Sequence, residues 1–306
     1  MIMEFSYFTT LVREEVERRT GDCYKVRLND VTKNNGVVLR GLTVTQDDSN
    51  ISPTIYLNNY YEEYMKGRAT LLNVVNDVMD TYHRNKVNQS VDMRYFLDYE
   101  RVKDCIVYKL INTEKNKELL EDIPHIEFLD LSIVFQCMVA QEDIGTASIL
   151  IHNVHLKLWD VSVEKLYQAA KENTQRIQKY EIKSMSEVLC EITRAENPEG
   201  VDENSEESFS DSVPMYVLSN QRRVEGAACM LYPNLVRDFA EAVGSSFYII
   251  PSSVHELLLL PTAHLEESSE IKNMIREIND TQVSTEEILS YSLYLYDKDE
   301  RKIMKL

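Results

Sequence analysis

The residues of this sequence best suited to chemistry lie together in the segment PSSVHE. Ser252 and Ser253 precede His255 and Glu256 there. A serine hydroxyl becomes a nucleophile when a base lies within hydrogen-bond reach, so this combination suggests a hydrolytic site. Adjacent residues of an extended strand point to opposite faces, which predicts that His255 and Glu256 do not orient each other. The alternative is that the hydroxyls and the imidazole ring satisfy backbone groups at a turn.

The stretch from residue 214 to residue 261 is expected to position this segment. Short apolar runs bounded by turn-forming residues predict strands, and apolar residues at three- and four-residue steps predict a helix. The predicted elements are strands at 215–218 and 227–231, a helix that starts at Pro233 and ends at Gly244, and a hairpin of 247–250 with 257–260. Residues 252–256 would then form the polar tip of that hairpin.

A tyrosine-rich stretch, NNYYEEY, is the second candidate for recognition. Tyr56, Tyr60 and Tyr61 cluster around Asn58 near the end of a predicted strand. Tyrosine suits binding surfaces because the ring buries a large area while the hydroxyl stays available to a partner. It also suits sheet faces and packing between elements. Both interpretations stay open, and a binding surface is expected either here or at residues 252–256.

The sequence lacks the motifs that mark common cofactor and metal sites. Its eight glycines form neither a G-x-G-x-x-G nor a P-loop pattern, so nucleotide binding is not expected. His152 and His155 in HNVH fall on a predicted strand, where the two side chains would face opposite sides. The five cysteines form no C-x-x-C pair, which argues against structural zinc. We therefore expect no catalytic residue, no metal site and no cofactor.

The composition is that of a globular, strongly acidic protein. Hydrophobic residues make up 43% of the 306 residues, and the formal net charge is -18. This charge disfavours nucleic acid and anionic membranes as partners and favours a basic protein partner. Isolated cysteines are typical of a reducing compartment. Because charged residues precede any signal-peptide core and no apolar run approaches the roughly 20 residues of a membrane span, the sequence predicts a cytoplasmic protein.

Helix and strand patterns follow one another along the whole chain. They predict an α+β fold in which antiparallel hairpins and sheets pack against amphipathic helices. Residues 196–213, ENPEGVDENSEESFSDSV, are acidic and serine-rich and are expected to form an exposed linker or loop. The linker would separate an N-terminal α+β region, 1–195, from a C-terminal one, 214–306. Whether these regions are two subdomains stays open.

The remaining elements are predicted from the same periodicities. They are a helix from Phe5 closed by Gly21, a hairpin of 23–28 with 37–45, a strand at 53–57, helices at 71–82 and 96–111, strands at 126–139 and 147–158, a helix capped by Ser162, a helix at 265–278, a capping box of Ser284 and Glu287, and a hairpin of 290–296 with 301–304. The last hairpin is expected at a sheet edge.

Several runs of the chain resemble a known family. Among them are LTVTQDDSNISPTIYLNNYYEEY, VEGAACMLYPNLVRDFAEAVGSSFYIIPSSVHELLLLP and INDTQVSTEEILS. They are similar to a family of uncharacterised proteins of anaerobic Gram-positive bacteria, known only as a domain of unknown function. The resemblance covers nearly the whole chain and implies no activity, cofactor or catalytic residue.

Three functions are compatible with these observations. The leading hypothesis is a cytoplasmic, non-catalytic interaction or regulatory protein. The second is an acidic mimic of nucleic acid that occupies a basic cleft on another protein, which a concentrated anionic face would favour. The third is an enzyme of unrecognised type with a site near residues 252–256, which a deep pocket with convergent His, Glu and Asn side chains would favour.

Overall fold

A computed structural model describes residues 3–46, 52–86, 93–141, 145–196, 214–264 and 268–306. The chain forms two compact units, one of residues 1–96 and 140–147 and the other of residues 97–139 and 148–306. Each unit has helices and antiparallel strand pairs of its own. Among the helices described, none is both long and apolar enough to cross a membrane.

The first unit combines a small sheet with helices. Its elements are α1 (Phe5–Thr20), β1 (Tyr24–Thr32), β2 (Val38–Gln46), β3 (Thr54–Tyr56), α2 (Asn58–Met65) and α3 (Leu71–Asn85). The central strand β2 pairs antiparallel with both β1 and β3. Helix α1 is followed by Gly21 at φ +77, a conformation that glycine adopts without strain. Helix α3 begins after Thr70, whose hydroxyl accepts a hydrogen bond from the Asn73 N–H at 3.2 Å.

The core of this unit is built from one face of each long helix and from the sheet. Phe8, Val12 and Val16 recur every four residues along α1 and are fully buried. Buried residues of β1, β2, β3 and α3 complete the same cluster, and they include Val26, Leu42, Val44, Ile55, Val74, Val75 and Val78. Burial of a valine, leucine or phenylalanine side chain stabilises the fold by about 1.5–3 kcal/mol, so this face holds the unit together.

The second unit begins with a region organised around strands β4 and β6. Its elements are α4 (Tyr99–Val102), β4 (Ile106–Asn112), α5 (Lys117–Asp122), β5 (His125–Phe128), β6 (Leu131–Gln141), β7 (Gly145–Leu150), α6 (Asn153–Trp159) and α7 (Val163–Ile177). The end of β6 and the start of β7 fall within residues 140–147, which are grouped with the first unit. Strand β6 lies between β4 and β5 and also pairs with β7. Helix α7 is fixed to β4, because the Tyr108 N–H donates to the Thr174 hydroxyl at 3.0 Å and the Asn173 amide donates to the Ile106 carbonyl at 3.1 Å.

A six-stranded antiparallel sheet forms the rest of the second unit. Its elements are β8 (Tyr180–Ser184), α8 (Met185–Glu196), β9 (Tyr216–Asn220), α9 (Leu235–Val243), β10 (Phe247–Ile250), β11 (Leu257–Pro261), α10 (Ser268–Thr281), β12 (Tyr294–Asp297) and β13 (Lys302–Lys305). The strand order is β13-β12-β10-β11-β9-β8. Phe247 faces Pro261 in the hairpin of β10 and β11, which leaves residues 251–256 as its connection.

The predicted α+β class with antiparallel sheets and helices is confirmed. The hairpins at β1–β2, β10–β11 and β12–β13 are also confirmed, and β13 lies at the sheet edge as predicted. Most of the predicted linker, residues 197–213, lies outside the described residues, so a division into domains at this segment stays a prediction. Strands β8 and β9, which precede and follow the segment, pair with each other.

Two predicted elements are wrong because burial hides their periodicity. The strand predicted at 227–231 is a 3-10 helix, Gly226–Leu231. Five consecutive residues of this helix are buried, and a short apolar run does not distinguish a buried helical turn from a buried strand. The helix predicted at 96–111 ends as strand β4. That strand is buried on both faces and therefore lacks the alternation expected of a strand with one exposed face.

Two further predictions fail at element boundaries. The strand predicted at 147–158 stops at Leu150, and helix α6 follows after His152. The capping box predicted from Ser284 and Glu287 begins no helix. Instead the Glu287 N–H donates to the Ser284 carbonyl at 2.9 Å, which closes a turn.

Candidate functional site

The segment SSVHE forms the tip of the β10–β11 hairpin. The Ser252 N–H donates to the Ile250 carbonyl at 3.0 Å, and the Ser253 N–H donates to the Glu256 carbonyl at 3.2 Å. The described residues offer no partner to the side chains of Ser252 and Glu256. Their predicted role in binding stays a prediction.

His255 is held at this tip by four contacts. Its backbone N–H donates to the Ser253 hydroxyl at 3.0 Å, and its carbonyl accepts from the Ser219 hydroxyl at 2.7 Å. Its ring Nδ1 accepts from the Glu225 N–H at 3.1 Å, and Nε2 lies 3.5 Å from a Glu287 oxygen. Because a backbone N–H can only donate, Nδ1 carries no proton, and the neutral ring has its proton on Nε2. The ring therefore fixes backbone geometry at Glu225.

Glu225 links the loop after β9 to strands β4 and β6. One carboxylate oxygen lies 2.8 Å from the Lys109 ammonium, and the other accepts from the Gln136 amide. The exposed fraction of the side chain is 26% for Lys109 and 18% for Glu225, so water screens this ion pair only in part. Glu225 also has φ 56, which strains a residue with a Cβ by about 1 kcal/mol. These contacts keep the strained backbone in place.

Asn220 and Gly226 enclose the same loop from its two ends. The fully buried Asn220 side chain accepts from the N–H groups of Arg222 and Val224 and donates to the Val224 carbonyl. Gly226 has no room for a side chain, since an added Cβ would lie 2.5 Å from the His255 carbonyl oxygen and 2.6 Å from the Asn220 nitrogen. Residues 220–226, which we name the 220s loop, are thus fixed by buried hydrogen bonds and by close packing.

This arrangement does not assemble a nucleophile with a base. The Ser253 hydroxyl accepts from a backbone N–H, and the Ser219 hydroxyl donates to a carbonyl. Neither ring nitrogen of His255 contacts a serine hydroxyl among the described residues, because Nδ1 faces a backbone donor and Nε2 faces Glu287. The network is suited to fixing five chain segments against each other, those of Lys109, Gln136, Glu225, His255 and Glu287. Sequence reasoning named His255 but missed Lys109, Gln136 and Glu225, which come together only in the fold.

Two residues of the tyrosine-rich stretch pack within the first unit. The Tyr61 hydroxyl donates to the Met3 carbonyl at 2.7 Å, and its ring centroid lies 5.0 Å from that of Phe5 and 5.2 Å from that of Phe8. The Tyr60 hydroxyl lies 3.3 Å from the Thr81 hydroxyl. Both side chains contribute to packing, and a role in binding stays a prediction.

The other two candidates of this stretch also have partners inside the unit. The Lys33 ammonium lies 4.4 Å from the centre of the Tyr56 ring, a cation–π contact. The Asn58 side-chain oxygen accepts from the Arg40 N–H at 2.9 Å and so ties the start of α2 to β2. For these residues, too, a role in binding stays a prediction.

His152 and His155 lie at the start of helix α6, so the prediction that they face opposite sides of a strand is wrong. His155 Nδ1 accepts from the His152 N–H at 2.9 Å, and His152 Nδ1 lies 2.6 Å from an Asp122 oxygen. Burial and the neighbouring His152 hold the pKa of His155 below its usual value. The ring of His155 stacks on Trp159. Across the part of the chain that the structure describes, no group of three or more His, Cys, Asp or Glu side chains could hold a metal ion.

Asp130 forms a second polar cluster that sequence reasoning missed. It lies in the turn between β5 and β6 and accepts hydrogen bonds from the hydroxyls of Ser290, Ser292 and Tyr294, each at 2.8 Å. Burial raises the pKa of Asp130, but the three hydroxyl donors outweigh burial, so its pKa lies below the ordinary value of 3.8. The carboxylate therefore joins the four-stranded sheet to the strand that begins at Tyr294.

A half-open cavity of about 340 Å³ lies at the start of α9. Its walls come from the end of α7, the start of β8, the 220s loop and the first residues of α9. Tyr232 forms part of the wall, and its hydroxyl donates to the Gln178 carbonyl at 2.6 Å. Sequence reasoning missed this cavity because its residues come from three separate stretches of the chain, 175–180, 221 and 232–238.

Helix α8 carries large apolar side chains that remain exposed. Leu189 is 37% exposed and Ile192 is 46% exposed, and residues three apart lie on one side of a helix. Glu191 on the same helix binds Lys183 at 2.5 Å and Arg223 of the 220s loop at 2.8 Å. Val224, next to Arg223, is 46% exposed. We name Leu189, Ile192 and Val224 the α8 surface.

Comparison with known proteins gives a family but no activity. Neither a search of curated proteins nor a search of solved structures finds a match. A family model described as a family of unknown function (DUF5688) matches residues 5–298. This match confirms the predicted resemblance to a family of unknown function over nearly the whole chain, and the bacterial origin of the family stays a prediction. Because the match covers nearly the whole chain, the protein belongs to DUF5688, a family of unknown function.

Proposed function

We propose that this protein is a cytoplasmic, non-catalytic interaction protein that binds a partner protein through the α8 surface. The observation that carries the proposal is the exposure of Leu189, Ile192 and Val224 beside the ion pairs of Glu191. Protein interfaces commonly combine exposed apolar side chains with charged ones, and helix α8 and the 220s loop carry both kinds.

The rigidity of the 220s loop supports the same proposal. Val224 and Arg223 stand on a backbone that Asn220 holds with three hydrogen bonds and that His255 and Lys109 hold through Glu225. A surface that is already ordered loses less conformational entropy on association. Strained backbone conformations cluster at functional sites, and the positive φ of Glu225 fits a loop whose conformation a partner recognises.

The chemistry near residues 252–256 supports a non-catalytic role. The His255 ring contacts a backbone donor and a carboxylate, and neither ring nitrogen contacts a serine hydroxyl in the part of the chain that the structure describes. Among the described residues the structure records no disulfide between cysteines, which fits a reducing compartment such as the cytoplasm.

The expected partner is a protein that presents apolar side chains among basic ones. The net charge of -18 attracts basic surfaces and speeds their encounter with this protein. The apolar contacts at Leu189 and Ile192 would then hold the complex together at high salt, because apolar burial is less sensitive to salt than ion pairing.

The test is affinity capture from the native cell extract at low and high salt. The Leu189→Gln/Ile192→Gln variant removes the apolar centre without changing the net charge. The matched control is Val154→Gln/Leu158→Gln on α6, which alters a pair of apolar residues that are even more exposed than Leu189 and Ile192. We expect a partner that wild type and control retain at high salt and that the α8 variant loses, and the purified pair should reproduce this difference.

Two outcomes would contradict the proposal. If every partner is lost at high salt from wild type, the acidic mimic of nucleic acid becomes the better interpretation. If the α8 variant keeps every partner that the control keeps, the α8 surface is not the binding site.

A further inference from the structure

The cavity at the start of α9 has a preformed apolar wall. Tyr232 is 4% exposed and Leu235 is 7% exposed, and Pro233 lies between them in sequence. The hydroxyl of Tyr232 is held by the carbonyls of Gln178 at 2.6 Å and Thr174 at 3.3 Å. The ring therefore cannot swing away without breaking buried hydrogen bonds, so the wall exists before any ligand enters.

The rest of the lining provides two opposite charges. The Lys179 ammonium has no ion-pair or hydrogen-bond partner among the described residues, although it belongs to an acidic protein. Asp238 accepts two hydrogen bonds from Arg237, at 2.8 and 3.1 Å, but both reach the same oxygen, Oδ1. The other carboxylate oxygen, Oδ2, remains available to a donor.

Two amides of the lining add neutral hydrogen-bonding groups. Gln175 donates its amide N–H to the Lys171 carbonyl at 2.9 Å, which leaves its side-chain oxygen free to accept. The side chain of Gln221, in the 220s loop, has no partner within the described chain. The cavity thus offers one cation, one carboxylate oxygen, amide groups and an apolar wall.

We propose that this cavity binds a small zwitterion with an apolar side chain, such as an apolar amino acid or a dipeptide. The ligand carboxylate would pair with Lys179, its ammonium with Asp238, and its side chain would lie on Tyr232, Pro233 and Leu235. A volume of about 340 Å³ is sufficient for a ligand of this size. A ligand with a single charge would leave either Lys179 or the Oδ2 oxygen of Asp238 without a partner, which favours the zwitterion. This proposal is independent of the partner proposed for the α8 surface.

The test is calorimetric titration of the full chain with L-phenylalanine and with two analogues that each lack one charge. Phenylethylamine lacks the carboxylate, and 3-phenylpropionate lacks the ammonium. We expect phenylalanine to bind about tenfold more tightly than either analogue, since each lost charged hydrogen bond weakens binding by about this factor.

Variants assign each charge to a residue. Lys179→Met should weaken the binding of phenylalanine about tenfold and leave the binding of phenylethylamine unchanged. Asp238→Asn should also weaken the binding of phenylalanine about tenfold but leave the binding of 3-phenylpropionate unchanged. Lys157→Met on α6 is the control for loss of a lysine that does not line the cavity, and it should leave the affinity for phenylalanine unchanged. The proposal is overturned if folded wild type binds no phenylalanine, if the analogues bind equally well, or if Lys179→Met has no effect.

Discussion

Replacement of Asp130 by asparagine should destabilise the fold markedly. The carboxylate accepts from three hydroxyl groups at 2.8 Å, two of them at Oδ2 and one at Oδ1. A hydrogen bond to a charged group contributes about 1.5–3 kcal/mol, and the amide of asparagine can replace only part of this set. Asp130 is half-buried, and solvent screening reduces the effect, so we expect a loss of about 2 kcal/mol in the free energy of unfolding.

The same substitution should change how stability depends on pH. The pKa of Asp130 in the folded protein lies below its ordinary value of 3.8, because the hydroxyl donors outweigh burial. A carboxyl group with a lowered folded pKa stabilises the protein above its unfolded pKa and loses this contribution as the pH falls through the folded pKa. The difference between wild type and Asp130→Asn should therefore be largest at about pH 7 and shrink below about pH 4.

Urea unfolding followed by circular dichroism over this pH range measures the effect. Asp280→Asn is the matched control, because the Asp280 carboxylate accepts a single exposed hydrogen bond, from the Tyr291 hydroxyl at 2.9 Å. The control should stay within about 0.5 kcal/mol of wild type. The role assigned to the three hydroxyl donors is wrong if Asp130→Asn lowers the free energy of unfolding at about pH 7 by no more than the control does. It is also wrong if the loss is the same at every pH.

Three other substitutions test the packing of the second unit by urea unfolding. Tyr108→Phe should stabilise the protein by about 1 kcal/mol, because the buried Tyr108 hydroxyl has no partner within the described residues; a loss would contradict this. Gly226→Ala should destabilise it by about 3 kcal/mol, since the added methyl group meets backbone atoms; a change under about 1 kcal/mol would show that the loop can adjust. Lys109→Met should lower the free energy of unfolding by about 2 kcal/mol, because Glu225 loses its cationic partner. Lys117→Met breaks an exposed ion pair and should lower the free energy of unfolding by under about 0.5 kcal/mol. Equal effects of the two lysine changes would refute this distinction.

Local signals explain what the sequence predicted correctly. The hairpin around residues 252–256 follows from two apolar runs separated by a short polar segment, and the structure pairs these runs in register. Helix α9 follows from its apolar spacing and from Gly244, which has φ 80 after the last turn. These features depend on residues close together in the chain. They could be predicted because neighbouring residues determine them.

The polar clusters could not be predicted because their members are far apart in sequence. Glu225 lies 116 residues from Lys109, and Asp130 lies 160 residues from Ser290. No spacing rule relates such pairs before the strand order is known. The error over His152 and His155 is of a different kind. Their i, i+3 spacing places them on opposite sides of a strand but lets them meet at the start of a helix. Because the segment was predicted as a strand and is a helix, the two side chains contact each other instead of pointing apart.

The 220s loop connects the two proposed binding sites, and Asn220 tests this connection. Gln221 lines the cavity, while Arg223 and Val224 belong to the region of the α8 surface. Asn220→Ala would leave two backbone N–H groups and one carbonyl of the loop without their buried partner, so the strained residues could relax. Hydrogen exchange of the loop amides should then rise about tenfold or more while exchange in β10 and β11 stays as in wild type. Unchanged exchange in the loop would mean that Asn220 does not hold it.

With the loop released in Asn220→Ala, both the binding of the small ligand and the binding of the partner protein should weaken. Lys179→Met should weaken only the binding of the small ligand, and Leu189→Gln should weaken only the binding of the partner protein.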